Sequence, residues 1–187
     1  MVSPNTLGSA GQTVRSALTL FIRAYPVVFV FGAIASVQRF VSVSYGDQLS
    51  TPLLIGGEVL TAGVRIGFLI WVYRRLIRSD RRLRLLPFGA WSPALARFSR
   101  SHPRVIVGHV LLLCLALVVF KVGFDVAIPA VFPDMNGDTY LSWVLAIKNV
   151  TIIPLTMIWL VAAVRDALVD GRPASDDLLP SNQPSRH

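Results

Sequence analysis

Charge is scarce in this chain. Only 15% of its 187 residues are Asp, Glu, Lys or Arg, against 53% hydrophobic residues, and the mean hydropathy is +0.61. A soluble domain of this length carries more charge and does not gather its apolar residues into a few long runs. Cysteine is scarcer still. The single cysteine, Cys114, falls inside an apolar stretch, where it has no intramolecular disulfide partner and serves as a small hydrophobe. The marks of catalysis are also missing: there is no G-x-S-x-G, no Walker loop, no H-E-x-x-H and no carboxylate pair on a loop. His102 and His109 stand seven positions apart with no acid or cysteine at ligand spacing. The sequence therefore leads us to expect no enzyme, no metal and no cofactor.

What is present is four apolar stretches, Pro26 to Gln38, Leu53 to Tyr73, Val105 to Phe124 and Leu141 to Val164, each bounded on one side by arginine. Between the second and third, Arg74 to Arg104 carries nine arginines and one acid, Asp80. The net charge of +8 would suggest nucleic acid in a soluble protein, but it is too segregated for that partner. Fourteen of the eighteen bases fall at the N-terminus, in the Arg74–Arg104 segment or after Val164. Residues 43–52 and 125–140 hold acids and no base. The asymmetry predicts a multi-pass protein of the plasma (inner) membrane of a bacterium, with both termini and the basic segment in the cytoplasm. Sixteen arginines against two lysines are compatible with a GC-rich bacterial source. A basic, apolar and small-residue succession ending at Ala33-Ile34-Ala35 resembles a signal peptide, but a similar block recurs inside the chain, which favours retention of the first span.

That recurrence is specific. Ala17, Leu18, Phe21, Arg23, Pro26 and Val28 match Ala94, Leu95, Phe98, Arg100, Pro103 and Val105 at a constant offset of 77. The expected organisation is a tandem repeat of two spans each, in parallel orientation. Residues 1–12 form a flexible N-terminus, 13–73 the first repeat, 74–92 a basic linker, 93–165 the second repeat and 166–187 a disordered tail. Each repeat opens with an amphipathic helix. Val14, Ala17, Leu18, Phe21, Ile22 and Tyr25 share one face in the first, opposite Arg15, Ser16, Thr19 and Arg23, a pattern suited to the headgroup region. Arg23, Arg97, Arg100 and Arg104 are the expected membrane-surface residues, attracting anionic lipid headgroups by about 1 kcal/mol each. Pro26 and Pro103 then bend each chain into the bilayer by disfavouring helical geometry at the residue before them. The fold class expected is thus all-α: four transmembrane helices and two interfacial ones.

Within the spans, ionisable residues separated by 16 or 17 positions, such as Glu58 and Arg74 or Lys148 and Arg165, mark the two boundaries. Arg65 departs from that pattern. It lies about 13 Å inside the Arg74 edge, near the midplane, where an arginine costs at least about 2.5–3.5 kcal/mol and should face protein or water. Glu58 and Thr61 precede it on the same face, and Lys148, Asn149 and Thr151 of the fourth span could approach from across the bundle. Arg65, Glu58, Lys148 and Asn149 are therefore the candidate ligand-binding residues for an anion. The alternative is a structural arginine satisfied by helix-end carbonyls or a partner subunit. Gly63 and Gly67 form a G-x-x-x-G suited to close helix packing, within the chain or against another protein copy.

The surface-helix, Tyr25-Pro26 or His102-Pro103, apolar-span pattern resembles that of small uncharacterised multi-pass membrane proteins of bacteria, and also membrane domains attached to some glycerophosphodiester phosphodiesterases. The resemblance covers two short blocks and implies a membrane domain, with no catalytic residue to carry over. The expected function is a non-catalytic scaffold or regulatory component with a protein partner or a homo-oligomeric state. A small carrier or lipid-handling protein built on Arg65 is the alternative. A fluorescent protein fused after His187 should fold and fluoresce on the cytoplasmic side, while an alkaline phosphatase fused there should be inactive; the reverse pattern would invert the topology.

Overall fold

The computed structural model describes residues 6–131 and 137–172. These residues form seven helices in the order α1 (Thr6–Arg23), α2 (Tyr25–Tyr45), α3 (Thr51–Tyr73), α4 (Trp91–Ser101), α5 (Pro103–Val131), α6 (Gly137–Val150) and α7 (Ile152–Asp170), with no strand among them. Prolines open three of them: Pro26 and Pro52 occupy the first turns of α2 and α3, and Pro103 begins α5. A proline there lacks only an amide hydrogen that no helix bond would have used. The chain bends at Ala24 between α1 and α2 and at His102 between α4 and α5. The second bend falls on the residue before proline, as expected; the first falls one residue earlier.

Four segments are long and apolar enough to cross a membrane: Tyr25–Gln48, Thr51–Arg78, Pro103–Val131 and Thr139–Asp170. Each exceeds the apolar stretch that marks it in sequence. The first runs past Arg39 because Glu58 of α3 takes up that charge, at 2.9 Å. The fourth holds a discontinuity absent from the sequence expectation. Helix α6 stops at Val150, Thr151 leaves helical geometry (φ −122°, ψ −71°), and α7 starts at Ile152. Pro154 supplies the reason: it has no amide hydrogen for the carbonyl four residues back, that of Val150, and its ring crowds the same carbonyl.

Helix α7 is the post of the bundle. Its Ile158, Trp159 and Ala162 form one apolar core with Ala17 of α1, Val28 of α2, and Phe68 and Val72 of α3. At the basic end, Leu168 joins Ala94 of α4 with Ile77 and Leu83 of the segment that follows α3. That segment is therefore no loose linker. A π-helical turn at Arg74–Arg78 and a short 3-10 turn at Phe88–Ala90 fold its apolar residues back under the bundle.

Two further elements are arranged differently within the chain from what their sequence pattern suggests. Helix α1 begins at Thr6 rather than after residue 12, and it docks on protein. Ala10, Thr13 and Ala17 are buried, whereas Leu18, Ile22 and Tyr25 stay exposed. Small side chains spaced three and four apart let α1 approach α7 closely, and Thr13 Oγ1 donates to Asp166 Oδ2 at 2.7 Å. The glycine pair also behaves differently. A Cβ added at Gly63 would meet open space, and one at Gly67 only the Phe31 ring at 3.5 Å. The close crossing is instead at Gly32 of α2, where a Cβ would stand 2.7 Å from the Asn149 carbonyl oxygen and 2.8 Å from Val150 Cα. Of the tail expected at 166–187, residues to Asp170 continue α7, and those beyond 172 lie outside the described residues, as do residues 1–5 of the expected flexible N-terminus.

Gly32→Ala should lower stability by about 1–3 kcal/mol through overpacking, read as a fall in apparent melting temperature in detergent. Gly63→Ala should be neutral or slightly stabilising, because alanine is the better helix former and nothing is in its way.

Candidate functional site

The discontinuity between α6 and α7 gathers a set of polar groups in the interior of the bundle. Asn149, the penultimate residue of α6, is buried. Its Nδ2 donates to the Ala35 carbonyl at 3.4 Å, and its Oδ1 accepts from Arg65 Nη2 at 3.2 Å. One turn earlier, Ser36 Oγ donates to the Ala146 carbonyl at 2.7 Å. Thr151 Oγ1 returns to the Ile147 carbonyl at 2.6 Å. Gly32, Ala35 and Ser36 make one small-residue face of α2, on which the end of α6 rests. Residues of this size permit the approach that backbone acceptors demand.

Arg65 thus sits beside the C-terminal end of α6, where the helix dipole is negative and a cation is favoured. The favour is partial. Asn149 is its only hydrogen-bond partner among the described residues, that partner is neutral, and the side chain remains exposed. A guanidinium has five donors. The void between Arg65, Asn149, Phe68 and Pro154 measures about 20 Å³, room for about one water and no more.

The other two candidate residues stand elsewhere. Glu58 accepts from Arg39 Nη1 at 2.9 Å and from Gln38 Nε2 at 3.3 Å, and Gln38 Oε1 accepts from Thr61 at 3.1 Å. That network stitches α2 to α3 one to two turns from Arg65. Lys148 points toward α5, with its ammonium 5.5 Å from the Phe124 ring centroid, within cation–π range. So the structure joins Arg65 to Asn149 and separates both from Glu58 and Lys148. The signal for the missed elements was Pro154 inside an apolar run, with Asn149 and Thr151 just ahead of it.

The expected membrane-surface arginines divide as well. Arg97 Nε donates to the Gly171 carbonyl at 2.9 Å and so closes the end of α7. Arg100 and Arg104 are exposed. Arg23 lines a cleft between α1 and the end of α3. A second polar cavity, about 390 Å³, lies between α1, α5 and α7 and includes Arg82, Arg165, Asp166 and Asp170. Its charges balance, and Arg165 and Asp166 are already paired at 2.6 Å. His109 closes its inner side, where Trp159 Nε1 donates to His109 Nδ1 at 3.2 Å. This cavity locks α1 and α5 to the post.

Asn149→Leu should remove the one acceptor of Arg65 and lower stability in detergent by about 1.5–3 kcal/mol, the range for hydrogen bonds to charged groups. Arg65→Leu in the Asn149→Leu background should then cost little more, because the hydrogen bond is already gone. Equal additive losses would show that the two residues do not act through each other.

No protein-family model, curated protein or solved structure matches this chain.

Proposed function

We propose that the chain is a four-span protein of a bacterial inner membrane, with both termini and the basic segment in the cytoplasm, acting as a non-catalytic component of a larger membrane assembly. The observation that carries this is Arg65. In a bilayer it would stand near the midplane, at the energetic cost given above, holding one neutral hydrogen bond and an exposed side chain. A carboxylate on a neighbouring span would complete it. Glu58 is the one acid within the four apolar stretches, and it is already paired with Arg39. The complementary acid therefore belongs to a different protein, and the chain is the basic half of an intramembrane ion pair that selects a partner.

Other features favour the same function. Large apolar side chains remain exposed along α3 and α5, among them Leu60, Ile66, Leu111, Leu115 and Val118, as surfaces facing lipid or another span would require. The bend-and-span succession occurs twice, at α1–α2 and α4–α5, which is compatible with a parallel repeat of two-span units. Carrier function gains less support, since a void of about 20 Å³ at Arg65 admits no substrate larger than water.

The test is native mass spectrometry of the tagged protein, gently extracted from its own membranes, for wild type and for Arg65→Leu. Wild type should carry a stoichiometric unrelated subunit, and Arg65→Leu should lose it while keeping its helical content. A monomer or homo-oligomer in both cases would overturn the proposal.

A further inference from the structure

The polar face of α1 borders an open cleft. Arg15, Ser16, Thr19 and Arg23 recur along one side of the helix, and that side faces the end of α3 across a cleft of about 740 Å³, a volume in the range of small-molecule sites. Arg75 closes the cleft from the α3 side, and Trp71 lines it. Three arginines therefore line one space, and no acid among the described residues does. None of the three is ion-paired among the described residues, whereas Arg39, Arg82 and Arg165 all are. The hydroxyls of Ser16 and Thr19 turn back to their own helix, donating to the Thr13 and Arg15 carbonyls at 2.8 Å, so the arginines are the charged donors of the lining.

We infer that this cleft is a site for a phosphate-bearing anion, supplied by the headgroup of an anionic phospholipid of the cytoplasmic leaflet. Guanidinium forks match phosphate oxygens in pairs, which makes arginine the suited cation. The choice of lipid over a free phosphate comes from the remaining lining. Leu20, Val27 and Trp71 give the cleft an apolar floor, and Val27 and Trp71 continue into the exposed apolar flanks of α2 and α3, where Val30 and Ile70 stand uncovered. A headgroup would meet the arginines while its acyl chains lay along those flanks. Arg23 and Arg75 sit at the ends of the two spans, the depth at which a headgroup and an indole ring both reside. The site would seat a lipid between α1 and the first span pair, away from Arg65 and from the subunit interface it implies. This inference rests on the membrane placement proposed above, though not on the partner protein.

The test uses the full-length protein. Alkaline carbonate extraction of membranes comes first: release into the supernatant would overturn the membrane placement, and this site with it. The purified protein is then titrated with phosphatidylglycerol or phosphatidylcholine in detergent and followed by native mass spectrometry. Phosphatidylglycerol should bind the more tightly. Each of Arg15→Gln, Arg23→Gln and Arg75→Gln should weaken it about fivefold, the equivalent of about 1 kcal/mol per arginine. Arg78→Gln, Arg81→Gln and Arg84→Gln remove the same charge from exposed positions outside the cleft and should leave the affinity within about twofold, as diffuse surface charge is screened. Single variants at exposed positions keep the comparison readable even if a triple variant fails to fold. Equal loss in the two sets, or equal binding of the two lipids, would overturn the site. Displacement of phosphatidylglycerol by millimolar inorganic phosphate would keep the anion site and overturn the lipid as its source.

Discussion

A missing amide hydrogen organises the interior of this protein. Pro154 leaves the Val150 carbonyl without its helical partner and forces Thr151 out of helical geometry. One long apolar segment thereby becomes α6 and α7, and the end of α6 is turned against α2. The acceptors freed or shifted by that turn draw in the polar groups of the neighbouring helices: Ser36 to the Ala146 carbonyl, Asn149 to the Ala35 carbonyl, and Arg65 to Asn149. Gly32 is required for the same reason, since any side chain there would collide with the backbone at the break. Irregular backbone in an apolar setting survives only where protein covers it, and α2 provides the cover.

From that point the bundle divides into two working regions. Above the basic end, α7 binds α1 through Thr13 and Asp166, α4 through Leu168 and Ala94, and α5 through Trp159 and His109. These contacts use small residues, one ion pair and short hydrogen bonds, so the region is closed and charge-balanced. Around Arg65 the balance is incomplete. The dipole of α6 and one amide oxygen offset part of a full charge, and the exposed remainder is what the proposed partner would satisfy. The two regions differ in this respect because acids are plentiful near Asp166 and Asp170 but limited to Glu58 within the apolar stretches.

Much of the fold was legible in local pattern. Length and apolarity located all four long apolar segments, and proline positions located the two bends to within a residue. The boundaries were less legible. Arg39 read as the end of the first span, yet α2 continues because Glu58 pairs with it, and the two residues are 19 positions apart. The amphipathic pattern of α1 read as a helix for a lipid surface. Its buried line is the small residues Ala10, Thr13 and Ala17, a choice made by α7 rather than by hydrophobicity. The glycine pair Gly63 and Gly67 meets no other helix backbone closely within the chain, while Gly32, which belongs to no such pair, makes a close crossing.

Arg65 shows the division most clearly. An arginine deep in an apolar stretch is conspicuous in any linear reading, and the cost of its charge follows from position alone. Helical class, the number of long apolar segments and the segregation of basic residues were likewise determined by the sequence itself, because hydropathy and helical period act over neighbouring residues. Which acceptor Arg65 meets was decided by tertiary structure. Asn149 lies 84 positions away, and it reaches Arg65 only because Pro154 breaks the last span and α2 offers a face narrow enough to receive it. Glu58 and Lys148 carry unit charges of opposite sign at similar depth, yet the rotation of their helices turns one to Arg39 and the other to Phe124. Rotation about a helix axis depends on all neighbours at once, and no local pattern encodes it.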